Sequence, residues 1–302
     1  MRDSTVGFLT ALLLVSWGCG KPQQPADAKP KVIEPPARLV ESGWKASWSP
    51  DGTQLVYART RGGGLEILDL RTLERKELVA SGKDPAWSPD GRFIAYVREP
   101  SFNAYQSEEV WLMDIKTRTD RRILLAGFPV WSADGKTLFV TARREYKILA
   151  LKIDALDQAP TVFFERARSW YPAVSSDERQ IAFGSREKLE ILDRSTGQAV
   201  LTWATPGDRG LLPAWSPDGK LVAFGGFDDS TLGVWVLDVK TGKAAPILEG
   251  HYTMPAWSKD GGKLAFDQRL PDRREVWVAS RDWVENRLKQ LGRLGPDASK
   301  SR

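Results

Sequence analysis

The sequence predicts an all-β fold, a six-bladed β-propeller of four-stranded antiparallel blades. Three observations predict it. First, Trp48-Ser49-Pro50-Asp51-Gly52 recurs at 87–91 and 215–219 and, with substitutions, at 131–135, 174–178 and 257–261. Second, these six copies start 39, 44, 43, 41 and 42 residues apart, and self-similarity at about 40–45 residues marks a propeller whose unit is one four-stranded blade. Third, each copy is followed by short apolar runs alternating at strand period and bounded by turn residues.

Each part of the unit has a physical reason. Ser-Pro-Asp-Gly is turn chemistry: Pro presets φ, Asp bonds neighbouring backbone, and Gly takes conformations that a side chain forbids. The Trp before it ends a short strand and is large enough to pack against the next unit. A second strand follows the turn, as at Leu55-Val56-Tyr57-Ala58 and Phe93-Ile94-Ala95-Tyr96-Val97. A third follows a variable loop, as at Leu65-Glu66-Ile67-Leu68-Asp69 and Val234-Trp235-Val236-Leu237-Asp238. A Thr/Gly turn, clearest at Lys240-Thr241-Gly242-Lys243, leads to an outer strand such as Ala245-Pro246-Ile247-Leu248.

Residues 1–19 read as an export signal. Arg2 is the positive start, and the apolar run from Val6 to Trp17 is 12 residues long, short of the roughly 20 needed to span a bilayer. Ser16-Trp17-Gly18-Cys19 resembles the lipobox of bacterial lipoproteins, with Ser16 where that box usually carries Leu. The resemblance implies acylation of Cys19, the single Cys of the chain, which has no internal disulfide partner. Gly20 carries no acidic inner-membrane retention signal, so the expected location is the periplasmic side of the outer membrane, with membrane contact through the lipid alone. Residues 20–36 hold five Pro among 17 residues and form an extended tether.

The propeller is expected over 37–285, with 286–302 as a C-terminal tail. Ala37-Arg38-Leu39-Val40-Glu41 resembles the outer strand that precedes Trp87, while the last repeat lacks a clear fourth strand. The economical inference is that 37–41 complete the sixth blade and remove the exposed edges. A rival closure uses residues 287–291.

Pro-x-Trp-Ser-Pro-Asp-Gly followed by Leu-Ala-Phe and Ile-Trp-Val-Leu-Asp is similar to the repeat of the TolB family. Its Pro stands here at Pro85, Pro129, Pro172, Pro213 and Pro255. The resemblance covers about 250 residues and implies a propeller that docks other envelope proteins, a peptidoglycan-associated lipoprotein among them. TolB carries an α/β domain before its propeller, where this sequence has only the tether.

Catalytic signals are sparse, and the expectation is a non-enzyme without cofactor or metal. His251 is the one His, and neither a Gly-x-Ser-x-Gly elbow nor a Gly-rich phosphate loop occurs. Asp228-Asp229 reads as a polar loop before it reads as a cation site. Net charge is +5 and pI about 9.2, but acids interleave with the bases, so nucleic acid is not an expected partner.

The expected functional surface is the face bearing the between-blade loops. It carries Arg59, Arg98, Arg143, Arg186 and Arg269 from loops between second and third strands. Trp44, Phe128, Trp170, Tyr171, Tyr252 and Met254 come from the between-blade loops. Large apolar groups within an Arg-bearing rim suit a protein or peptide interface. Glu99, Glu145, Glu187 and Asp272 sit among those arginines, so a merely solvated rim remains open. The functional expectation is a monomeric envelope scaffold docking a protein or peptide. The alternatives are a carbohydrate-binding or lyase-type propeller, or an accessory lipoprotein of an outer-membrane assembly complex.

Overall fold

The computed structural model describes residues 36–60, 63–99, 107–142, 145, 147–165, 170–184, 188–204, 211–225 and 233–291; at 170 and 171 it describes backbone only. The first strand, β1 (Ala37–Val40), belongs to no blade begun by its own inner strand. Blade 1 is β2 (Gly43–Trp48), β3 (Gln54–Arg59), β4 (Leu65–Asp69) and β5 (Arg75–Val79). Blade 2 is β6 (Lys83–Trp87), β7 (Phe93–Arg98), β8 (Glu109–Asp114) and β9 (Thr119–Leu125). Blade 3 is β10 (Gly127–Trp131), β11 (Thr137–Ala142), β12 (Lys147–Lys152) and β13 (Thr161–Glu165). Blade 4 is β14 (Trp170–Val174), β15 (Gln180–Gly184), β16 (Lys188–Asp193) and β17 (Ala199–Ala204). Blade 5 is β18 (Leu212–Trp215), β19 (Leu221–Gly225), β20 (Val234–Asp238) and β21 (Lys243–Leu248). Blade 6 is β22 (Tyr252–Trp257), β23 (Lys263–Arg269) and β24 (Arg274–Ser280), with β1 as its outermost strand. The sequence therefore predicted the fold class correctly, including the closing strand.

The Ser-x-Asp-Gly turn is locked the same way in all six blades, divergent blade 4 included. Each Ser hydroxyl donates to the Asp two places on at 2.5–2.7 Å. Each also accepts the backbone N–H five places on at 2.8–2.9 Å. The buried Ser is thus the hub that ties the first strand's end to the second strand's start. Its hydroxyl holds the carboxyls of Asp134, Asp177 and Asp260 below the usual carboxylate range. The turn Gly has φ between 66° and 79° in the five copies that keep it, and Glu178 adopts φ 58° in the sixth.

The core lies between blades, sheet face against sheet face. The motif Trp packs against the preceding blade, not the next one. Trp48, Trp131 and Trp215 donate their indole N–H to the inner-strand carbonyls of Ala256, Ala86 and Ala173 at 3.0–3.1 Å. A carbonyl on an already paired inner strand is the acceptor within reach, and the indole satisfies its one donor there. Blade 4 has Val174 at this position, and phenylalanines fill the space between blades 3 and 4. Phe139 lies 4.3 Å from Phe163 and Phe164 lies 5.6 Å from Phe183, ring centre to ring centre.

Closure follows the register Ala37↔Val278, Arg38↔Trp277 and Val40↔Val276, with Val40 buried. Polar contacts reinforce it. Arg38 pairs with Glu275 at 3.2 Å, and Lys263 donates to the Gly52 carbonyl at 3.1 Å. The rival strand at 287–291 does not form, because those residues belong to the helix α1 (Arg281–Leu291). Val284, Leu288 and Leu291 recur at helical spacing, and the first two pack on blades 5 and 6. The Ser280 hydroxyl accepts the Trp283 N–H at 3.3 Å, and Arg281 reaches Glu285 one turn on and Asp218 of blade 5 at 2.7 and 2.8 Å.

Candidate binding site at the channel mouth

Six inner strands surround the propeller axis and leave a channel of about 450 Å³, within the roughly 300–1,000 Å³ typical of ligand pockets. Its wall is the repeat itself, with Trp48, Trp87, Trp131, Val174, Trp215 and Trp257 on successive blades. At the turn side, Lys259 stands where three other copies carry Pro. Its ammonium reaches across to the Pro89 carbonyl of blade 2 at 2.9 Å.

At the opposite, between-blade mouth, the inner strands bulge. Pairing with the second strand skips between Trp44/Ser47, Lys83/Ala86, Gly127/Val130, Trp170/Ala173 and Thr253/Ala256. Blade 5 pairs without a skip from Leu212 to Trp215. Bulges re-aim side chains. Lys45, Asp84, Phe128 and Met254 sit in them at φ 53°, 49°, 50° and 51°, each costing about 1–2 kcal/mol of backbone strain, and all four line the channel. The following Pro of blades 2, 3, 4 and 6 has no N–H to lose, which suits an interrupted ladder. The mouth is therefore mixed: Lys45 and Asp84 on blades 1 and 2, Phe128, Leu212 and Met254 on blades 3, 5 and 6.

Behind Lys45 lies a carboxyl that the fold of the other blades lacks. Asp267 on β23 is completely buried, where Ala58, Val97, Thr141, Gly184 and Gly225 stand ten residues after the motif Trp or Val of their blades. Its Oδ2 accepts the Lys45 N–H at 2.8 Å, and its Oδ1 has no hydrogen-bond partner. Burial pushes this carboxyl up to about 7, against the opposing Lys45 N–H bond and the nearby Arg274 charge. Arg274 stacks over Trp44, its guanidinium carbon 4.9 Å from the ring centre, with Nη1 buried and unpartnered. Burial lowers its pKa.

Of the residues expected from sequence, Phe128 and Met254 line the mouth and Trp44 stands beside it beneath Arg274. Tyr252 is half-buried, its ring edge-on to Phe266 at 5.7 Å. Arg269 is exposed, and its backbone N–H donates to the His251 carbonyl at 2.7 Å. Arg59 and Arg98 brace their own blades. Arg59 pairs with Glu77 at 2.8 Å beside the Tyr57–Glu66 hydrogen bond. Arg98 pairs with Asp120 at 2.5 Å and lies over the Tyr96 and Trp111 rings at 5.2 and 4.2 Å. Cys19, Arg143, Arg186 and the Asp228-Asp229 pair lie outside the described residues, as do the side chains of Trp170 and Tyr171. Sequence reasoning missed Lys45, Asp84 and Asp267. Aligning the six repeats on their Trp exposes Asp267 as the sole charge in its column. Among the described residues no group of three or more His, Cys, Asp or Glu is placed to hold a metal ion.

No protein-family model matches the chain, and no curated protein does either. Solved structures do. TolB from Acinetobacter baumannii aligns with a TM-score of 0.58 at 23% identity, covering 74% of this chain and 57% of that one. A TolB-type protein of Agrobacterium tumefaciens aligns at 0.56 and 19% identity, over 79% of this chain and 90% of that one. An oligogalacturonate lyase in complex with manganese aligns at 0.54 and 15% identity, over 80% of this chain and 79% of that one. The chain spans little more than half the length of the Acinetobacter protein. At these identities the shared property is the six-bladed propeller.

Proposed function

We propose that this chain is a non-catalytic scaffold of the bacterial envelope that docks a protein or peptide partner on its between-blade face, over the channel mouth. One observation carries the reading. Blade 5 pairs its inner strand without a bulge, so the fold does not require bulges. Four other blades nevertheless hold non-glycine residues at positive φ there, turning large and charged side chains into the mouth. Strain kept where packing does not need it fits a binding role. The likeness to TolB propellers agrees with a scaffold, and the export signal, the tether and Cys19 agree with a lipid-anchored position on the periplasmic side of the outer membrane.

One experiment in the cell of origin tests both halves. The full chain is expected in the membrane fraction and Cys19→Ser in the soluble one. A photo-reactive phenylalanine at Phe128 or Arg269 is expected to capture a discrete partner, and the same group at Leu73, on a turn of the opposite face, to capture none. Capture from Leu73 alone overturns the docking face, and a membrane-bound Cys19→Ser overturns the anchor.

A second reading is a carbohydrate lyase, favoured by the charged Lys45 and Asp84 at the mouth and by the likeness to the oligogalacturonate lyase. Incubation with oligogalacturonate tests it: unsaturated product would replace the scaffold reading, and its absence retires the lyase.

A further inference from the structure

We propose that Lys45 and Arg274 form an anion-receiving subsite on the blade 6–blade 1 side of the channel mouth, positioned and tuned by Asp267. The proposal rests on the docking reading and names the chemistry of one part of that surface: a carboxylate of an acidic peptide.

Lys45 is the first support. Its bulge is followed by Ala46 where blades 2, 3, 4 and 6 have Pro. The bulge is held instead by the Asp267 carboxylate, which accepts the Lys45 N–H across the junction between blades at 2.8 Å. Asp267 thereby does from blade 6 what proline does elsewhere from within the strand. The residue it holds is a lysine that lines the mouth.

The buried polar atoms are the second support. Asp267 Oδ1, Arg274 Nη1 and Thr253 Oγ1 are buried without partners, and Thr253 stands opposite Asp267 in the β22–β23 register. Other buried groups without partners occur at Thr60, Thr141, Trp235 and Trp257, but these three lie on the neighbouring strands β22, β23 and β24. They supply an acceptor, a donor and a hydroxyl to whatever polar group enters, water included.

Charge gives the direction. The groups facing Asp267 are Lys45 on β2, Arg274 on β24 and Asp84 on β6, with Arg269 further out at the end of β23. With Asp267 ionised, Lys45 and Arg274 are balanced by Asp84 and Asp267. Once Asp267 takes a proton, one positive charge is uncompensated. The Asp267 carboxyl lies at about 7 in the folded chain. Anion affinity is therefore high below pH 7 and is lost as pH rises through it, and a bound anion draws a proton onto Asp267 by linkage.

The probe is an N-acetylated tetraglutamate peptide, whose carboxylates stay ionised from pH 6 to 8, titrated into the full chain by calorimetry. Binding is expected at pH 6 and about tenfold weaker at pH 8, the effect of one nearby charge. Asp267→Asn keeps an acceptor for the Lys45 N–H and is expected to bind equally at both pH values, as tightly as the wild type at pH 6. Lys45→Gln is expected to bind weakly at both. His251→Gln is expected to keep the pH dependence, which separates Asp267 from the one histidine. Equal wild-type affinity at pH 6 and 8, or a pH dependence that survives Asp267→Asn, overturns the proposal. So does an absence of binding at pH 6. Should the peptide fail while Phe128 still captures a partner, this subsite falls and the docking face stands.

Discussion

Removal of residues 36–41 is expected to unfold the propeller or reduce it to an aggregating open form. β1 supplies the outermost strand of blade 6 through a register with β24, buries Val40, and pairs Arg38 with the almost fully buried Glu275. The loss of one or two buried aliphatics at about 2 kcal/mol each and several ladder hydrogen bonds at about 1 kcal/mol each approaches the whole stability of a typical domain. The deletion also exposes β24 as an unpaired apolar edge, a template for association. Denaturant midpoint and size-exclusion profile read the outcome. A truncated chain that stays monomeric with an unchanged midpoint would show that β1 only decorates blade 6.

Trp48→Ala is expected to cost about 4 kcal/mol, within the range for deleting a buried large aromatic. Trp48 is 6% exposed and packs among Val40, Leu55, Tyr57 and Val276, so it touches both sides of the closing junction. Its indole donates to the Ala256 carbonyl at 3.0 Å, and the Lys263 ammonium lies 5.3 Å from its ring centre. Trp215→Ala should cost less, because Trp215 is only half-buried although it makes the same indole bond at 3.1 Å. Melting curves of the two variants check the order. Equal losses would show that burial at the closing junction does not set the cost.

Much of the fold is legible in the sequence, because one unit had to satisfy the same local physics six times. Ser49 and Asp51 lock their own turn, and the same atoms repeat at Ser258 and Asp260, so local residues report local structure. Closure is legible for a related reason: β1 copies the spacing of an outer strand. What the sequence did not show depends on distant partners. Arg59 and Arg98 read as rim groups, but their acids, Glu77 and Asp120, arrive from outer strands about twenty residues on. The Trp of the unit looked toward the next blade, but Trp48, Trp131 and Trp215 find their acceptor on the preceding one, while Trp87 donates to the Gly91 carbonyl of its own turn. The helix α1 has a readable spacing at Val284, Leu288 and Leu291, and it occupies the residues that offered a rival closing strand.

The mouth was harder to read. A Pro two places before the Trp accompanies a bulge in blades 2, 3, 4 and 6, but Pro213 accompanies none and Lys45 bulges without it. The local rule therefore fails in both directions. In blade 1 the deciding group is Asp267, more than 200 residues away. Only the column of six equivalent positions reveals it, as a charge where the others carry Ala, Val, Thr or Gly.

The account depends most on the beginning of the chain closing the ring, and a designed disulfide tests that directly. Ala37 and Val278 face one another across the β1–β24 ladder, a separation that suits a disulfide. In a Cys19→Ser background, Ala37→Cys with Val278→Cys is expected to oxidise to one intramolecular bridge. The bridge would link the chain's first strand to its last, read as faster migration on a non-reducing gel and a reduction-sensitive gain in melting temperature. Two free thiols in a chain that is otherwise folded would contradict the closure.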